Sequence, residues 1–161
     1  MEQAKYDIKT VMISISDQYF FCRIAGFDNT GDTVVLLHGF PETSIMWEPL
    51  MCRLVNQGYR VIAPSQRGYS AGTVNSSLSK FYLSALAEDI FLLLDHFNVK
   101  DFHLVGHDWG ASVGWSMVSF KPQRIVSWSA LSIPHSIALQ SAIARNKDQR
   151  RRSRYMLLFR L

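Results

Sequence analysis

The sequence predicts an α/β fold, a mostly parallel sheet preceded by an antiparallel N-terminal hairpin. Three observations support this prediction. Apolar strand-like runs alternate with helical periodicity between residues 33 and 131. Two segments rich in β-branched and aromatic residues precede them. Polar motifs follow two of the buried runs, where ligand chemistry concentrates in parallel sheets.

The N-terminal third contains three predicted strands and one helix. Residues 10–15 and 19–25 are separated by a short polar stretch, which indicates a hairpin. Residues 33–37 are continuously apolar, as expected of a strand covered on both faces. They end at His38-Gly39-Phe40-Pro41. A helix is predicted over 44–57, followed by Gly58 as its C-terminal signal.

The remaining elements continue the alternation. A buried strand over 59–63 leads into the loop 64–72, and Leu and Ile residues recur at helical spacing over 81–97. A strand is predicted over 102–105 and a helix over 109–120, which Pro122 ends. The last strand covers 125–131 and is stopped by Pro134.

Composition is that of one ordinary globular domain. The chain has 161 residues, 48% of them hydrophobic and 19% charged, and no apolar run of membrane-spanning length. The N-terminal residues lack the apolar core of a signal peptide. Cys22 and Cys52 are best explained as free thiols in a reducing compartment. We therefore expect a cytoplasmic protein that binds no membrane, metal ion or cofactor.

The net charge of +4 comes from the C-terminal segment. From Arg145 onward the chain has seven basic residues and one acidic residue, leaving a net charge of −2 before it. The run Arg150-Arg151-Arg152 with Arg154 is compatible with nucleic-acid binding. A solvated helix face is the favoured interpretation, because no nucleic-acid-binding motif accompanies the run, and no nucleic-acid partner is predicted.

The chemistry centres on the turn Gly106-His107-Asp108-Trp109-Gly110. Two glycines flanking a polar residue between a buried strand and a helix are typical of a nucleophile elbow. The usual nucleophile is serine, and Asp108 occupies its position here. A carboxylate is already ionised at neutral pH and can displace a leaving group at saturated carbon without a base to activate it. The alternative is an ordinary N-cap aspartate.

These residues resemble the α/β-hydrolase fold, and more narrowly the branch that contains epoxide hydrolases and haloalkane dehalogenases. The matching segments are His38-Gly39-Phe40-Pro41-Glu42, Arg67-Gly68-Tyr69-Ser70 and the Asp108 elbow through Ala111. The resemblance implies Asp108 as nucleophile and the backbone N–H groups of Phe40 and Trp109 as oxyanion hole. It implies substrate contacts at His38, Gly39, Pro41, His107 and Trp109, with His107 packing or orienting rather than acting as base.

Within this branch, epoxide hydrolysis is favoured over dehalogenation. Phe40 offers no side-chain donor for a departing halide, whereas an opening epoxide needs a proton donor. The segment Tyr155-Met156-Leu157-Leu158-Phe159 resembles a cap stretch that supplies a tyrosine in epoxide hydrolases. Tyr155 is thus a candidate proton donor, with an ordinary cap-helix aromatic as the equal alternative. The expected substrate is a small apolar epoxide or a haloalkane-like compound.

The resemblance also implies what this sequence does not contain. The family's general-base histidine and its supporting acid come after a later strand, and His38, His96, His103, His107 and His135 do not match that position. We therefore expect the N-terminal portion of a longer hydrolase, with core residues 1–135 and an incomplete cap over 136–161. A non-catalytic fragment is a further alternative. The strand 125–131 is expected to leave an open apolar edge that favours self-association.

Overall fold

The computed structural model describes residues 7–73 and 77–160 and contains one six-stranded sheet. Its strand order is β1-β2-β4-β3-β5-β6. The first two strands form an antiparallel hairpin, β2 joins β4 antiparallel, and β4, β3, β5 and β6 run parallel. The strands are β1 Lys9–Ile15, β2 Gln18–Ala25, β3 Thr33–Leu37, β4 Arg60–Pro64, β5 Phe102–His107 and β6 Ile125–Leu131. The predicted fold class is confirmed.

Helices cover both faces of the sheet. They are α1 Glu48–Asn56, α2 Leu83–His96, α3 Trp109–Phe120, α4 Ser136–Arg145 and α5 Lys147–Arg152. α1 packs on one face against a cluster that includes Val34, Leu36 and Val61. α2 and α3 pack on the other face, where Val35 and Leu37 lie. The alternation along β3 explains why this strand is apolar throughout, since every one of its residues is buried.

The register of β3 and β5 determines where the functional loops meet. Leu37 pairs with Gly106 at the carboxyl ends of these adjacent parallel strands. The loop that starts at His38 therefore lies beside the turn that holds Asp108. This is the edge of a parallel sheet at which loop residues from different strands converge.

Several predicted boundaries differ from the observed ones. The helix expected over 44–57 starts as a 3-10 turn, Ser44–Trp47, before α1, and the helix expected over 81–97 starts at Leu83 after another 3-10 turn. The strand expected over 102–105 extends to His107. The signal-peptide prediction concerns residues 1–5, which lie outside the described part of the chain. In the described part, no helix is both long and apolar enough to cross a membrane.

The chain after β6 forms α4, α5 and a 3-10 segment, Ser153–Arg160. These helices lie over the carboxyl edge of the sheet, where they contribute walls to the cavity described below. Whether residues 136–161 are a separate cap domain stays a prediction. β6 is the outermost strand on its side, with Val126 58% and Leu131 44% exposed.

Candidate active site

The turn between β5 and α3 holds Asp108 in an unusual backbone conformation. Its φ of 51° and ψ of −118° are disfavoured for a residue with a Cβ atom, and such outliers mark functional sites when the surroundings enforce them. Close backbone packing provides that enforcement. A Cβ atom on Gly110 would overlap the Leu37 carbonyl, and one on Gly106 would lie 2.6 Å from the Gly110 carbonyl oxygen.

The Asp108 carboxylate does not cap the helix that it precedes. Asp108 occupies the N-cap position of α3, but no capping hydrogen bond joins its side chain to the helix. Its Oδ1 instead accepts a hydrogen bond of 3.0 Å from the backbone N–H of Phe40. The contact is close, because a Cβ atom on Gly39 would lie 2.8 Å from Oδ1. The carboxylate and the loop after β3 are therefore directly joined.

A cavity of about 690 Å³ opens in front of Asp108. Its volume is in the range of small-molecule sites. Helices α4 and α5 and the start of the final 3-10 segment form the wall opposite the sheet edge. The lining residues are Phe40, Asp108, Trp109, Ser112, Ile133, Gln140, Ile143, Ala144, Arg150, Ser153, Arg154, Tyr155 and Met156.

His38 connects the loop after β3 to the loop after β4. The Gln66 N–H donates to His38 Nε2 at 3.0 Å, and Nδ1 lies 3.0 Å from the Gly39 carbonyl oxygen. Since Nε2 accepts, the ring is neutral and its proton is on Nδ1. The Gln66 side chain donates back to the His38 carbonyl at 2.5 Å. Burial lowers the pKa of His38, which agrees with this neutral state.

A buried ion pair joins the loop after β4 to helix α2. The Arg67 guanidinium donates from Nε and Nη2 to the two Asp89 oxygens on α2, at 2.7 and 2.6 Å. Burial raises the pKa of Asp89, and the bonds from Arg67 oppose that effect. The His38–Gln66 contacts thus rest on a loop that is anchored to the helical layer.

Tyr69 lies on this loop, and the charge of Asp108 affects the pKa of its phenol. Its ring packs edge-on against His38, with 4.7 Å between ring centroids. Burial first, and then the negative charge of Asp108, raises the pKa of the Tyr69 phenol. The loop after β4 is therefore part of the electrostatic surroundings of the candidate nucleophile.

The predicted site residues fall into two groups. Asp108, Phe40, Trp109 and Tyr155 all line the cavity, although Phe40 and Tyr155 are distant from Asp108 in sequence. Trp109 is the first residue of α3, so its N–H belongs to the helix-terminal groups that lack an intrahelical partner.

The other predicted substrate contacts do not reach the cavity wall. His38 is fully buried, Gly39 faces Asp108, and Pro41 follows a cis peptide bond. His107 is partly buried, and its Nδ1 is a buried atom without a hydrogen-bond partner.

Two kinds of catalytic group are missing from the cavity wall. None of the chain's five histidines is among the lining residues, and all five lie in the described part of the chain. Within residues 7–73 and 77–160, no group of three or more His, Cys, Asp or Glu side chains is placed to hold a metal ion. Among the lining residues, Asp108 carries the only carboxylate side chain.

This six-stranded, mostly parallel sheet is the fold of a known family. A family model described as "alpha/beta hydrolase fold" matches residues 32–160. The chain belongs to the alpha/beta hydrolase fold family. Its curated relatives include the AB hydrolase superfamily protein YfhM of Bacillus subtilis, 35% identical over 81% of this chain and 46% of YfhM. An epoxide hydrolase of Caballeronia sordidicola is 31% identical over 86% of this chain and 40% of that protein.

Solved structures of the family agree with the fold of this chain. Epoxide hydrolase VrEH1 from Vigna radiata superposes with a TM-score of 0.74 at 33% identity, over 80% of this chain and 41% of VrEH1. Epoxide Hydrolase A from Mycobacterium thermoresistibile superposes with a TM-score of 0.73 at 31% identity, over 86% of this chain and 44% of that enzyme. This alpha/beta hydrolase fold protein thus spans less than half the length of these relatives.

Proposed function

We propose that the chain carries the nucleophile of an epoxide hydrolase-like hydrolase, and that Asp108 is that nucleophile. One observation carries the proposal: the Asp108 carboxylate faces a cavity from a backbone conformation that the close packing of two glycines enforces. Relatives named as epoxide hydrolases support the choice of substrate class.

In the first step, a carboxylate oxygen of Asp108 attacks a ring carbon of the epoxide. A carbon–oxygen ester bond forms, the ring carbon–oxygen bond breaks, and the electron pair stays on the ring oxygen as an alkoxide. The phenol of Tyr155, on the same cavity, donates its proton to that oxygen. The product is a hydroxyalkyl ester of Asp108.

In the second step, water attacks the carboxyl carbon of the ester, the bond from that carbon to the alkyl oxygen breaks, and the diol leaves with the Asp108 carboxylate restored. The negative charge that develops on the carbonyl oxygen is stabilised by the N–H groups of Phe40 and Trp109. The Phe40 N–H already donates to Oδ1 of Asp108 at 3.0 Å. The attacking water also needs a base, and no histidine lines the cavity of this chain. We therefore expect the ester to persist on the 161-residue protein.

Intact-mass spectrometry after incubation with styrene oxide tests both steps. We expect one adduct with the mass of one epoxide, located on the peptide that contains Asp108, and no sustained diol formation. Asp108→Asn is the matched control and should remain unmodified, because an amide is a poor nucleophile. An adduct on another residue, or multiple turnovers by this chain, would contradict the proposal.

Dehalogenation is the weaker candidate for this cavity. A departing halide needs N–H donors, and Phe40 presents only an aromatic side chain to the cavity. The same mass experiment with a chloroalkane distinguishes the two reactions. An Asp108 ester formed with chloride release, and none formed from an epoxide, would favour dehalogenation.

A further inference from the structure

The cavity wall opposite the sheet edge is attached to the rest of the protein by little apolar packing. Every residue of α4 and α5 is described, and none of them is buried. Burial of an apolar face usually supplies most of the free energy that holds a helix in place. Gln140, Ile143 and Ala144 of α4 nevertheless line the cavity. The position of α4 relative to Asp108 therefore depends on the connection that leads into it.

The connection from β6 to α4 is attached first to the turn that holds Asp108. The Asp108 N–H donates to the carbonyl of Leu131, the last residue of β6, at 3.2 Å. Ser132 follows with a φ of 71°, in the left-handed region, and Ile133 then lies on the cavity wall. A residue with a Cβ atom adopts that region rarely, so contacts on both sides of Ser132 have to hold the chain in this path.

Trp115 on α3 supplies the contact on the far side of that residue. Its Nε1 donates to the Ile133 carbonyl at 3.1 Å. Its ring meets the His135 ring edge-on, with 5.0 Å between the ring centroids. His135 is the N-cap residue of α4, and its carbonyl accepts a hydrogen bond from the Leu139 N–H at 3.0 Å. One side chain thus contacts both a residue that lines the cavity and the residue that precedes α4.

Trp115 is itself held by the core of the protein. Its ring packs edge-on against that of Trp128 on β6, with 5.6 Å between the ring centroids. The neighbouring Gly114 is buried, and a Cβ atom there would overlap the Trp128 ring, so α3 and β6 are in close contact at this point. Because α3 begins directly after Asp108, the bond from Trp115 fixes the wall relative to the carboxylate.

We propose that Trp115 is a positioning residue: its contacts with Ile133 and His135 set the position of α4, and thereby the affinity of the cavity for its substrate. Trp115 does not line the cavity, so it acts through the wall and not on the reacting atoms. Without its hydrogen bond, α4 leaves this position for part of the time, and substrate binds only to the remaining fraction of the molecules. This proposal rests on the proposed function for the reaction at Asp108 and goes beyond it by assigning a role to a residue outside the site.

The test compares Trp115→Phe with the wild type by measuring the rate of Asp108 ester formation over a range of styrene oxide concentrations. Phenylalanine keeps an aromatic ring at this position but has no N–H group to donate. We expect half-saturation at an about fivefold higher concentration, the size of one ordinary hydrogen bond, and a maximal rate within about twofold of the wild-type rate. The maximal rate is retained because saturating substrate selects the molecules in which the wall is in place.

Trp128→Phe is the matched control. It removes the same ring volume from the same pair of rings, but the buried Nε1 of Trp128 has no hydrogen-bond partner among the described residues. This variant should lose stability through the space left beside Gly114 and keep the wild-type half-saturation. An unchanged half-saturation in Trp115→Phe, or an equal increase in both variants, would overturn the proposal.

Hydrogen exchange followed by mass spectrometry measures the attachment of α4 without any reaction. We expect the amides of α4 to exchange about fivefold faster in Trp115→Phe than in Trp128→Phe, while those of β3 and β5 exchange alike in the two variants. His135→Ala, a change at an exposed side chain, removes only the ring contact with Trp115 and should also speed exchange in α4.

This second measurement separates the two proposals. If styrene oxide does not modify Asp108 in the wild type, the proposed function fails, and hydrogen exchange still decides whether Trp115 holds α4. Faster exchange confined to α4 in Trp115→Phe and His135→Ala supports the positioning role. Wild-type exchange in α4 of both variants, or a difference between Trp115→Phe and Trp128→Phe that extends equally through the sheet, overturns it.

Discussion

At the scale of single residues, the site depends on how closely Gly39 approaches Asp108. A Cβ atom at position 39 would lie 2.5 Å from the Asp108 Cβ and 2.8 Å from Oδ1. Both distances are well inside normal contact, so a side chain here requires the carboxylate or the loop to move. Hydrogen-bond geometry tolerates little such movement, and reacting atoms must be aligned within a fraction of an ångström.

We therefore expect Gly39→Ala to lower the rate of Asp108 ester formation by about 100-fold, the cost of a misplacement near 1 Å. The measurement is the rate of adduct formation with styrene oxide. Gly58→Ala is a control of the opposite kind: its φ of +87° makes alanine unfavourable by about 1 kcal/mol, but no atom lies within 4 Å of the added Cβ. It should lose stability and keep the wild-type rate. Equal rates in Gly39→Ala and the wild type would show that this contact is not restrictive.

At the scale of elements, the candidate active site includes two loops that hydrogen-bond to each other. His38, at the end of β3, accepts from the Gln66 N–H at the end of β4, and Gln66 donates back to the His38 carbonyl. The Arg67–Asp89 pair then anchors the second loop to α2. The position of the Phe40 N–H is thus set by contacts between elements as well as by its own loop.

The buried His38 ring in this contact predicts that the stability of the protein depends on pH. Burial lowers the pKa of His38 below its ordinary value of 6.5, so below that pH the unfolded chain takes up a proton that the native protein does not. The unfolded state then binds more protons, and the free energy of unfolding falls as the pH decreases from 6.5 toward the lowered pKa. The slope from this one group is at most about 1.4 kcal/mol per pH unit.

Urea unfolding of the wild type and of His38→Gln, from about pH 7.5 to about pH 5, measures this contribution. We expect the variant to be less stable at the upper pH and to show a shallower pH dependence. The same substitution at exposed His96 tests whether removing any histidine is sufficient. Parallel curves for the wild type and His38→Gln would contradict the assignment of the neutral ring to the native state.

At the scale of the whole molecule, local pattern was enough to predict the fold class. The alternation of apolar runs and helical spacing gave every strand and the three helices around the sheet within a few residues, because burial imposes those periods directly. The strand-to-helix turn could also be predicted, because contacts with neighbouring backbone require glycine at Gly106 and Gly110.

Long-range pairings could not be predicted in this way. The contact of Phe40 with Asp108 spans 68 residues, and the Arg67–Asp89 pair joins a loop to a helix with no periodic signal. The position of Arg154 on the cavity wall depends on how the last helices fold over the sheet edge. The number of charged residues in the sequence does not distinguish an arginine that lines a cavity from one on a solvated helix face.

The last prediction concerns β6, which is the outermost strand on its side of the sheet in the described part of the chain. β6 is an edge strand without charged residues or proline, features that otherwise discourage pairing between chains. Val126 on it is 58% exposed. Two copies related by a twofold axis can pair such edges antiparallel, so we expect association that increases with concentration.

Sedimentation velocity over a range of protein concentrations measures this association. Val126→Lys should shift the protein toward monomer, because lysine on an edge strand opposes pairing. Met12→Lys is the matched control on β1, the opposite edge, where Met12 is 60% exposed and Lys9 already places a charge on the strand. It should associate like the wild type. A wild type that stays monomeric at every concentration would show that β6 does not pair, and an equal effect of both lysines would show that general surface charge, not this edge, controls association.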